Sequence, residues 1–315
     1  MTERESRQDH LAHAYLEARP RLIRVAYAVL GSVAEAEDVV SDCWLRLAAA
    51  DREDPVLDVD AWATVAVARR SLDVLRSARV RRESYIGPWL PEPIVAAEPV
   101  GVRPTDPADR VTLDETVSFA LMVVLETLSP AERTTWVLHD IFGMPFTEVA
   151  GVVGRTPAAV RQLAARARRH VADGAPRVTV DPAEHDAAVA AFAAAILGGD
   201  LAVLLSILDP DVVLTSDGGG KVSAARRPVH GADRVARFLL GIAQKRSGGE
   251  RIVPLEVNGT SGFGFVAGTG LVLVGALTVR SGRVSRVDFV LAPEKLARTR
   301  LPEVPGQGAK VMDNR

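Results

Sequence analysis

The 315-residue sequence predicts a multidomain protein: two all-α domains, the second carrying a helix-turn-helix, followed by an α+β domain. Three observations predict it. Apolar residues recur at helical spacing from Asp9 to about Ser84 and again from Val111 to Asp173. Between those stretches stand Pro88, Pro91, Pro93, Pro99, Pro104 and Pro107; proline fixes φ and lacks an amide donor, so this segment reads as a linker. Beyond His185, helical runs give way to strand-like runs separated by the turn sequences "NGTSG", "GTG" and "RSGR". The expected units are 9–84, a linker 85–110, 111–173 and 184–297, with a polar, Pro- and Gly-containing tail at 300–315 expected to be disordered.

Composition narrows the class. Apolar residues make up 48% and charged residues 25%, which suits a soluble globular chain with sizeable cores. A formal net charge of −2 argues against a nonspecific polyanion binder, although it conceals local basic patches. The single cysteine, Cys43, fits a reducing, cytoplasmic setting. The opening "MTERESRQDH" lacks the features of a signal peptide, and no run approaches the ~20 apolar residues of a membrane helix, so no membrane partner is expected.

In the first unit, Leu22, Val25, Ala26, Val29 and Leu30 define a helix that Gly31 ends. A second helix starts near Ala34 with Glu35, Glu37 and Asp38 in its first turn, where the helix dipole favours acids. A third runs from about Asp60 to Arg82; Trp62, Arg69, Asp73, Arg76 and Val80 share one face of it, and it ends in the basic run "RSARVRRE". Arg69, Arg76, Arg79, Arg81 and Arg82 could follow a phosphate backbone; a plain ion-paired surface through Asp73 explains part of the same spacing. Within the linker, "WLPEP" (Trp89–Pro93) places two large apolar residues that are costly to leave in water, so either it docks on another part of the chain or it packs on the preceding helix.

In the second unit "SPAER" is a helix start, with Ser129 as N-cap, Pro130 in the first turn and Glu132 at the capping-box position. The run "GMPFTEVAGVVGRTPAAVRQLAARARRHV" then gives a short helix with Phe146, Val149 and Ala150, a turn at Val153–Gly154, and a longer helix opening at Thr156–Pro157. Val160, Leu163, Ala164, Ala167 and Val171 make an apolar stripe. Arg155, Arg161, Gln162, Arg166, Arg168 and Arg169 fall mainly off it, with no acid among them. That is the layout of a recognition helix whose opening residues (Arg155, Thr156, Pro157, Ala158, Arg161 and Gln162) meet base edges while the later arginines meet phosphates. An amphipathic bundle helix with a solvated basic face has the same pattern.

Taken in order, "AEAEDVVSDCWLRL", "WATVAVARRSLDVLRSARVRR" and "LSPAERTTWVLHDIFGMPFTEVAGVVGRTPAAVRQLAARARR" resemble an extracytoplasmic-function sigma factor of bacterial RNA polymerase, over roughly Leu11–Ala172. The first two resemble sigma region 2 and the third region 4. The resemblance implies that Glu37, Asp38 and Asp42 dock on the β′ clamp of core polymerase, with further contacts to the β subunit; Ser41 stands where the family often has glutamine. It implies that the Trp62–Arg82 helix engages the minus-ten element, although Arg69 replaces a frequent asparagine, and that Arg155–Arg169 reads the minus-thirty-five element of promoter DNA. The loop before the third helix matches the base-capturing loop in place, but carries five acids: Asp51, Glu53, Asp54, Asp58 and Asp60.

The third unit is similar to a SnoaL-like cone, which one subgroup of these sigma factors carries at the C-terminus. In that subgroup "WLPEP" lies in the linker and "DGGGK" in the tail; here they are Trp89–Pro93 and Asp217–Lys221. The resemblance implies that Trp89, Leu90, Pro91, Glu92 and Pro93 meet Asp217, Gly218, Gly219, Gly220 and Lys221 in a regulatory contact; by charge, Glu92 is a candidate partner for Lys221. A phosphate loop is a poor match, because Thr215 stands where its first glycine belongs and Val222 where its Ser or Thr belongs. A plain turn after "DVVLTS" remains as good a reading of the glycines as a contact loop. No catalytic residue, metal site or cofactor is expected; a small-molecule ligand in the cone stays open. Two other classes also stay open: an enzyme of the SnoaL-like cyclase or isomerase type, for which His185, His230 and Asp288 are candidates by residue type alone, and a one-component helix-turn-helix regulator that never joins polymerase.

Overall fold

The computed structural model describes residues 3–96, 117–174, 180–245, 251–268 and 270–299. The second half of the linker, with Pro99, Pro104 and Pro107, and the expected disordered tail at 300–315 lie outside the described residues, as does the side chain of Arg81.

Three helices open the chain: α1 (Glu3–Leu30), α2 (Val33–Glu53) and α3 (Val59–Glu83). Ser32 caps α2 by accepting from the Glu35 amide. Leu22, Val29, Leu30, Val40, Cys43, Leu47 and Val67 are buried between the three helices, each large aliphatic side chain contributing roughly 1.5–3 kcal/mol. Burial pushes the Cys43 thiol up to about 11, so it is an inert core residue. Most acids of the expected base-capturing loop serve local structure, and Asp51 and Asp60 lie within α2 and α3 themselves. Asp51 pairs with Arg7 and accepts from the Val56 amide, Asp58 accepts from the Ala61 amide, and Asp60 pairs with Arg21.

The second helical unit contains α4 (Phe119–Leu125), α5 (Pro130–Trp136, continued by a wide turn at Val137–Ile141), α6 (Phe146–Val153) and α7 (Pro157–Gly174). The capping box at Ser129 and Glu132 forms as the sequence predicts. Gly154 supplies the left-handed conformation, φ 69°, that the turn between α6 and α7 requires. Val160, Ala164 and Ala167 of the predicted stripe are buried.

The C-terminal unit has α8 (Pro182–Gly198), α9 (Leu201–Ile207), β2 (Leu208–Asp217), β3 (Val229–His230), α10 (Ala232–Lys245), β4 (Arg251–Val257), β5 (Thr260–Ala267), β6 (Gly270–Arg280), β7 (Arg283–Val290) and α11 (Pro293–Leu296). Strands β4 to β7 form an antiparallel meander, and β2 joins β7 in parallel. One sheet face packs Leu214, Phe263, Leu277, Val287 and Phe289 against Phe192, Leu204 and Val235 of α8, α9 and α10, giving the cone. The sheet order is β1-β4-β5-β6-β7-β2-β3, in which β1 is Val95–Ala96 of the linker. The linker is therefore no spacer at its start: it adds a strand to the cone, pairing Val95 with Val257 and Ala96 with Glu256.

The other sheet face is covered by the helical half. Leu255, Val257, Val274, Ala276 and Val290 pack with Leu90 of the linker, Phe119 and Val123 of α4, and Leu296. The two helical units also share apolar cores. Met122, Leu125, Leu128 and Val137 join the α1–α3 cluster, and Val25, Ala68 and Leu72 join the cluster around Leu138, Val149 and Val153. All three units thus form one closed, packed arrangement.

Candidate nucleic-acid interface and interdomain seam

The opening of α7 is accessible. Arg155, Thr156, Ala158, Arg161 and Gln162 are exposed and Pro157 is half-buried, while Thr156 accepts from the Ala159 amide and holds the first turn. Toward the other end of α7, Arg166 pairs with Glu132 and Arg168 with Asp140, and Arg169 is exposed.

The α3 face is less open. Trp62 is half-buried against the α1–α3 core. Arg76 pairs with Asp73 at 3.5 Å, the local pairing that the spacing allows. Three other arginines of the expected minus-ten face donate instead into the second helical unit: Arg69 to the Gly151 carbonyl at 3.2 Å, Arg79 to the Leu128 carbonyl at 2.9 Å, and Arg82 to the Glu126 carboxylate at 2.6 Å. Glu126 also pairs with Arg133, which is buried and donates to the Ala28 carbonyl of α1. On α2, Asp38 and Asp42 line a cleft of about 530 Å³ shared with Ser41, Arg70 and Ser77, and Glu37 is paired with Arg298 just beyond α11.

The seam between linker and cone centres on Asp217, which is fully buried. Its carboxylate accepts from the Tyr85 hydroxyl (2.6 Å), the Leu90 amide (2.9 Å), the Gly219 amide (2.9 Å) and the Lys295 ammonium (2.6 Å). Lys295 also donates to the Leu90 carbonyl and lies 3.9 Å from the Trp89 ring centroid, which the Arg82 guanidinium also approaches, at 3.3 Å. Burial holds the Lys295 ammonium below its usual range, opposed by Asp217; burial and then the hydrogen bond to Asp217 push the Tyr85 hydroxyl up. Pro91, Glu92 and Pro93 are buried as well.

Glu92 does not pair with Lys221, correcting the expected ion pair. Its carboxylate accepts from the Ser32 hydroxyl and the Val33 amide, so it serves the start of α2, while Lys221 pairs with Glu294 at 3.2 Å and is exposed. The two readings of Gly218–Lys221 merge. The segment is a turn, with the Lys221 amide donating to the Gly218 carbonyl, and a Cβ on Gly220 would lie 3.3 Å from Ile86 of the linker. A Cβ on Gly218 would lie 2.5 Å from the Val222 carbonyl oxygen. Gly218→Val is expected to cost roughly 1–3 kcal/mol by overpacking. Gly241→Ala, in α10 with nothing near its missing Cβ, should gain about 0.5–1 kcal/mol. Thermal melts of both variants check the contrast.

Sequence reasoning missed Tyr85, Lys295, Glu126, Arg133 and Asn258. Asn258 donates to the Tyr27 hydroxyl and accepts from the Ile94 amide, tying cone, first helix and linker together. The three catalytic candidates are not brought together. His185 sits on α8 over one sheet face, bonded to the Leu277 carbonyl; Asp288 pairs with Arg286 in register with Thr215 on the opposite face; His230 is exposed on β3. Among the described residues no cluster could hold a metal ion, and no helix is long and apolar enough to cross a membrane.

Two sigma-type helical units, one with a basic recognition helix, define a promoter-directing subunit of RNA polymerase. Family models agree: Sigma-70 region 2 matches residues 14–81 and Sigma-70 region 4 matches 118–171. The chain is 42% identical over 298 residues to the ECF RNA polymerase sigma factor SigJ of Mycobacterium tuberculosis, covering 90% of this chain and 93% of that protein. It is 35% identical to the probable ECF RNA polymerase sigma factor SigI of the same species, over 92% and 96% of the two chains. The crystal structure of M. tuberculosis SigJ superposes with a TM-score of 0.72 at 39% identity, covering 90% of this chain and 98% of that one. The chain belongs to the extracytoplasmic-function sigma factors of RNA polymerase: it binds core polymerase and promoter DNA, and is not an enzyme.

Proposed function

We propose that α7 reads the minus-thirty-five element through Arg155, Thr156, Pro157, Ala158, Arg161 and Gln162, with Arg166, Arg168 and Arg169 on phosphates. In the same reading Trp62, Arg69, Asp73, Arg76, Arg79, Arg81 and Arg82 serve the minus-ten element, and Glu37, Asp38 and Asp42 dock on the β′ clamp in the cytoplasm. The observation that carries the α7 assignment is its exposed, acid-free opening turns. Arg161→Ala with Gln162→Ala removes side chains placed to contact bases, at about 1–3 kcal/mol for each good contact. Run-off transcription should then lose promoter selectivity by roughly tenfold or more while core binding persists. Unchanged promoter preference would move the reading surface elsewhere.

The cone restrains this machinery. Arg69, Arg79 and Arg82 are engaged by the second helical unit, so promoter engagement requires the two units to part. The cone holds both of them, through Leu90 in the linker and through Phe119 and Val123 in α4. The linker is the two-state element whose docking sets their separation.

A further inference from the structure

We propose that Phe146 is a positioning residue for promoter reading, on the footing that α7 reads the minus-thirty-five element: its ring is a platform that orients the Arg161 guanidinium. Phe146 opens α6, is half-buried, and carries two neighbours on its ring. The His139 ring stacks on it, with centroids 3.7 Å apart and planes 26° from parallel. The Arg161 guanidinium stands 5.7 Å from its centroid, within the ~6 Å reach of a cation–π contact. His139 is itself held, because its Nδ1–H donates to the Met144 carbonyl at 2.8 Å. It belongs to the wide, π-type turn Val137–Ile141. Single turns of this type recur at functional sites. This one reaches α7 twice, through the His139–Phe146 stack and through Asp140, which pairs with Arg168.

Arg161 gains from such a platform. It is exposed and in no ion pair among the described residues, whereas Arg166 and Arg168 each pair with an acid. An unpaired arginine samples many rotamers, and a bidentate contact to a base edge needs one of them. A carboxylate would restrain the side chain only by competing with the base for the same N–H donors. An aromatic ring attracts the cation and leaves those donors free. Pre-organisation of this kind favours the base whose edge accepts both donors. It leaves the phosphate contacts of the later arginines alone.

The test is run-off transcription by core polymerase loaded with the full-length chain, on promoters in which each minus-thirty-five base is changed in turn. Phe146→Leu keeps an apolar side chain and removes the ring. It should lower the preference at the base that Arg161→Ala affects by about two- to fivefold, as loss of an exposed cation–π contact would. Preference at the other bases and core binding should hold. Phe146→Tyr keeps the ring and should restore the preference. In an Arg161→Ala background Phe146→Leu should change the preference no further, because a platform acts only through the group it orients. Additive losses in the doubly changed chain, a loss spread evenly over all bases, or no rescue by tyrosine would overturn the platform and leave Phe146 a packing residue. The contact itself is read separately, from the Arg161 Nε–H resonance of the free chain, which removal of the ring should shift. A resonance unmoved by Phe146→Leu would overturn the contact whatever transcription shows. A resonance that moves while Arg161→Ala changes no base preference would instead sink the assignment of Arg161 to base reading, and the platform's role with it.

Discussion

Replacing Asp217 with alanine is expected to undock the linker from the cone and to be far more damaging than any change at Lys221. The carboxylate is fully buried and accepts four hydrogen bonds, two of them from linker groups, the Tyr85 hydroxyl and the Leu90 amide. Its removal strands the Lys295 ammonium, whose side chain is only 10% exposed, without a counter-charge. Breaking a buried pair from one side costs about 3–5 kcal/mol, most of it the penalty of the charge left behind. The cation–π contact with Trp89 does not offset this, because it is already made in the intact protein. By contrast Lys221 and Glu294 are 64% and 42% exposed, and an ion pair of that kind is worth ~0–1 kcal/mol. A chain of several units need not unfold in one step, so a local reporter is the better measure. The Leu90 amide donates directly to Asp217; its hydrogen exchange should quicken roughly 10²–10³-fold in Asp217→Ala and hardly at all in Lys221→Ala. Unchanged protection of Leu90 in the first variant would show that apolar burial at Leu90 alone holds the linker. Changing Asp217 to Leu together with Lys295 to Met should be milder than either single change, since no charge is then left unpaired.

The contrast between these two lysines also shows what a sequence does and does not disclose. Local features were legible, because their causes lie within a few residues. Ser129 and Glu132 announce a capping box at fixed spacing, Gly154 announces a left-handed turn, and the arginines of α7 fall off an apolar stripe that the helical repeat defines. The motifs "WLPEP" and "DGGGK" lie in two segments that the structure brings together through Leu90 and Asp217. The partner within the seam was not legible. Lys221 belongs to the motif and ends on the surface, whereas Lys295 lies outside it and is buried, 78 positions from Asp217. A buried lysine and a surface lysine look alike in a sequence; only long-range packing separates them. Asn258 is the same case, reading as half of an "NG" turn while it bonds to Tyr27 across 231 positions. Glu126 and Arg133 carry no local signature either, since both are ordinary charged residues of short helices until α1 and α3 pack against them.

Glu126→Gln is expected to lower stability and yet raise promoter affinity, a pair of opposite signs that a merely structural role would not produce. Glu126 bridges two guanidinium groups from different units, Arg82 of α3 and the buried Arg133 of α5. Glutamine keeps the shape and one acceptor oxygen but removes the charge, so both arginines lose their counter-ion. A hydrogen bond to a charged group contributes about 1.5–3 kcal/mol, and Arg133, with its side chain 2% exposed, has no water to turn to. The seam should therefore weaken by about 2 kcal/mol, which shifts a closed-to-open equilibrium roughly thirtyfold toward the open form. Opening releases Arg69, Arg79 and Arg82 from the Gly151 and Leu128 carbonyls and from residue 126, and these are the groups assigned to the minus-ten strand. Free sigma factor should then bind a promoter fragment more tightly and with a steeper salt dependence, because more arginines reach phosphates. The measurement is fluorescence anisotropy with promoter DNA across a range of salt concentrations, beside a melting curve of the same protein. Lower stability with unchanged or weaker DNA binding would mean that Glu126 only supports the fold. Higher affinity at lower stability would identify the Arg82–Glu126–Arg133 bridge as the contact that DNA must displace.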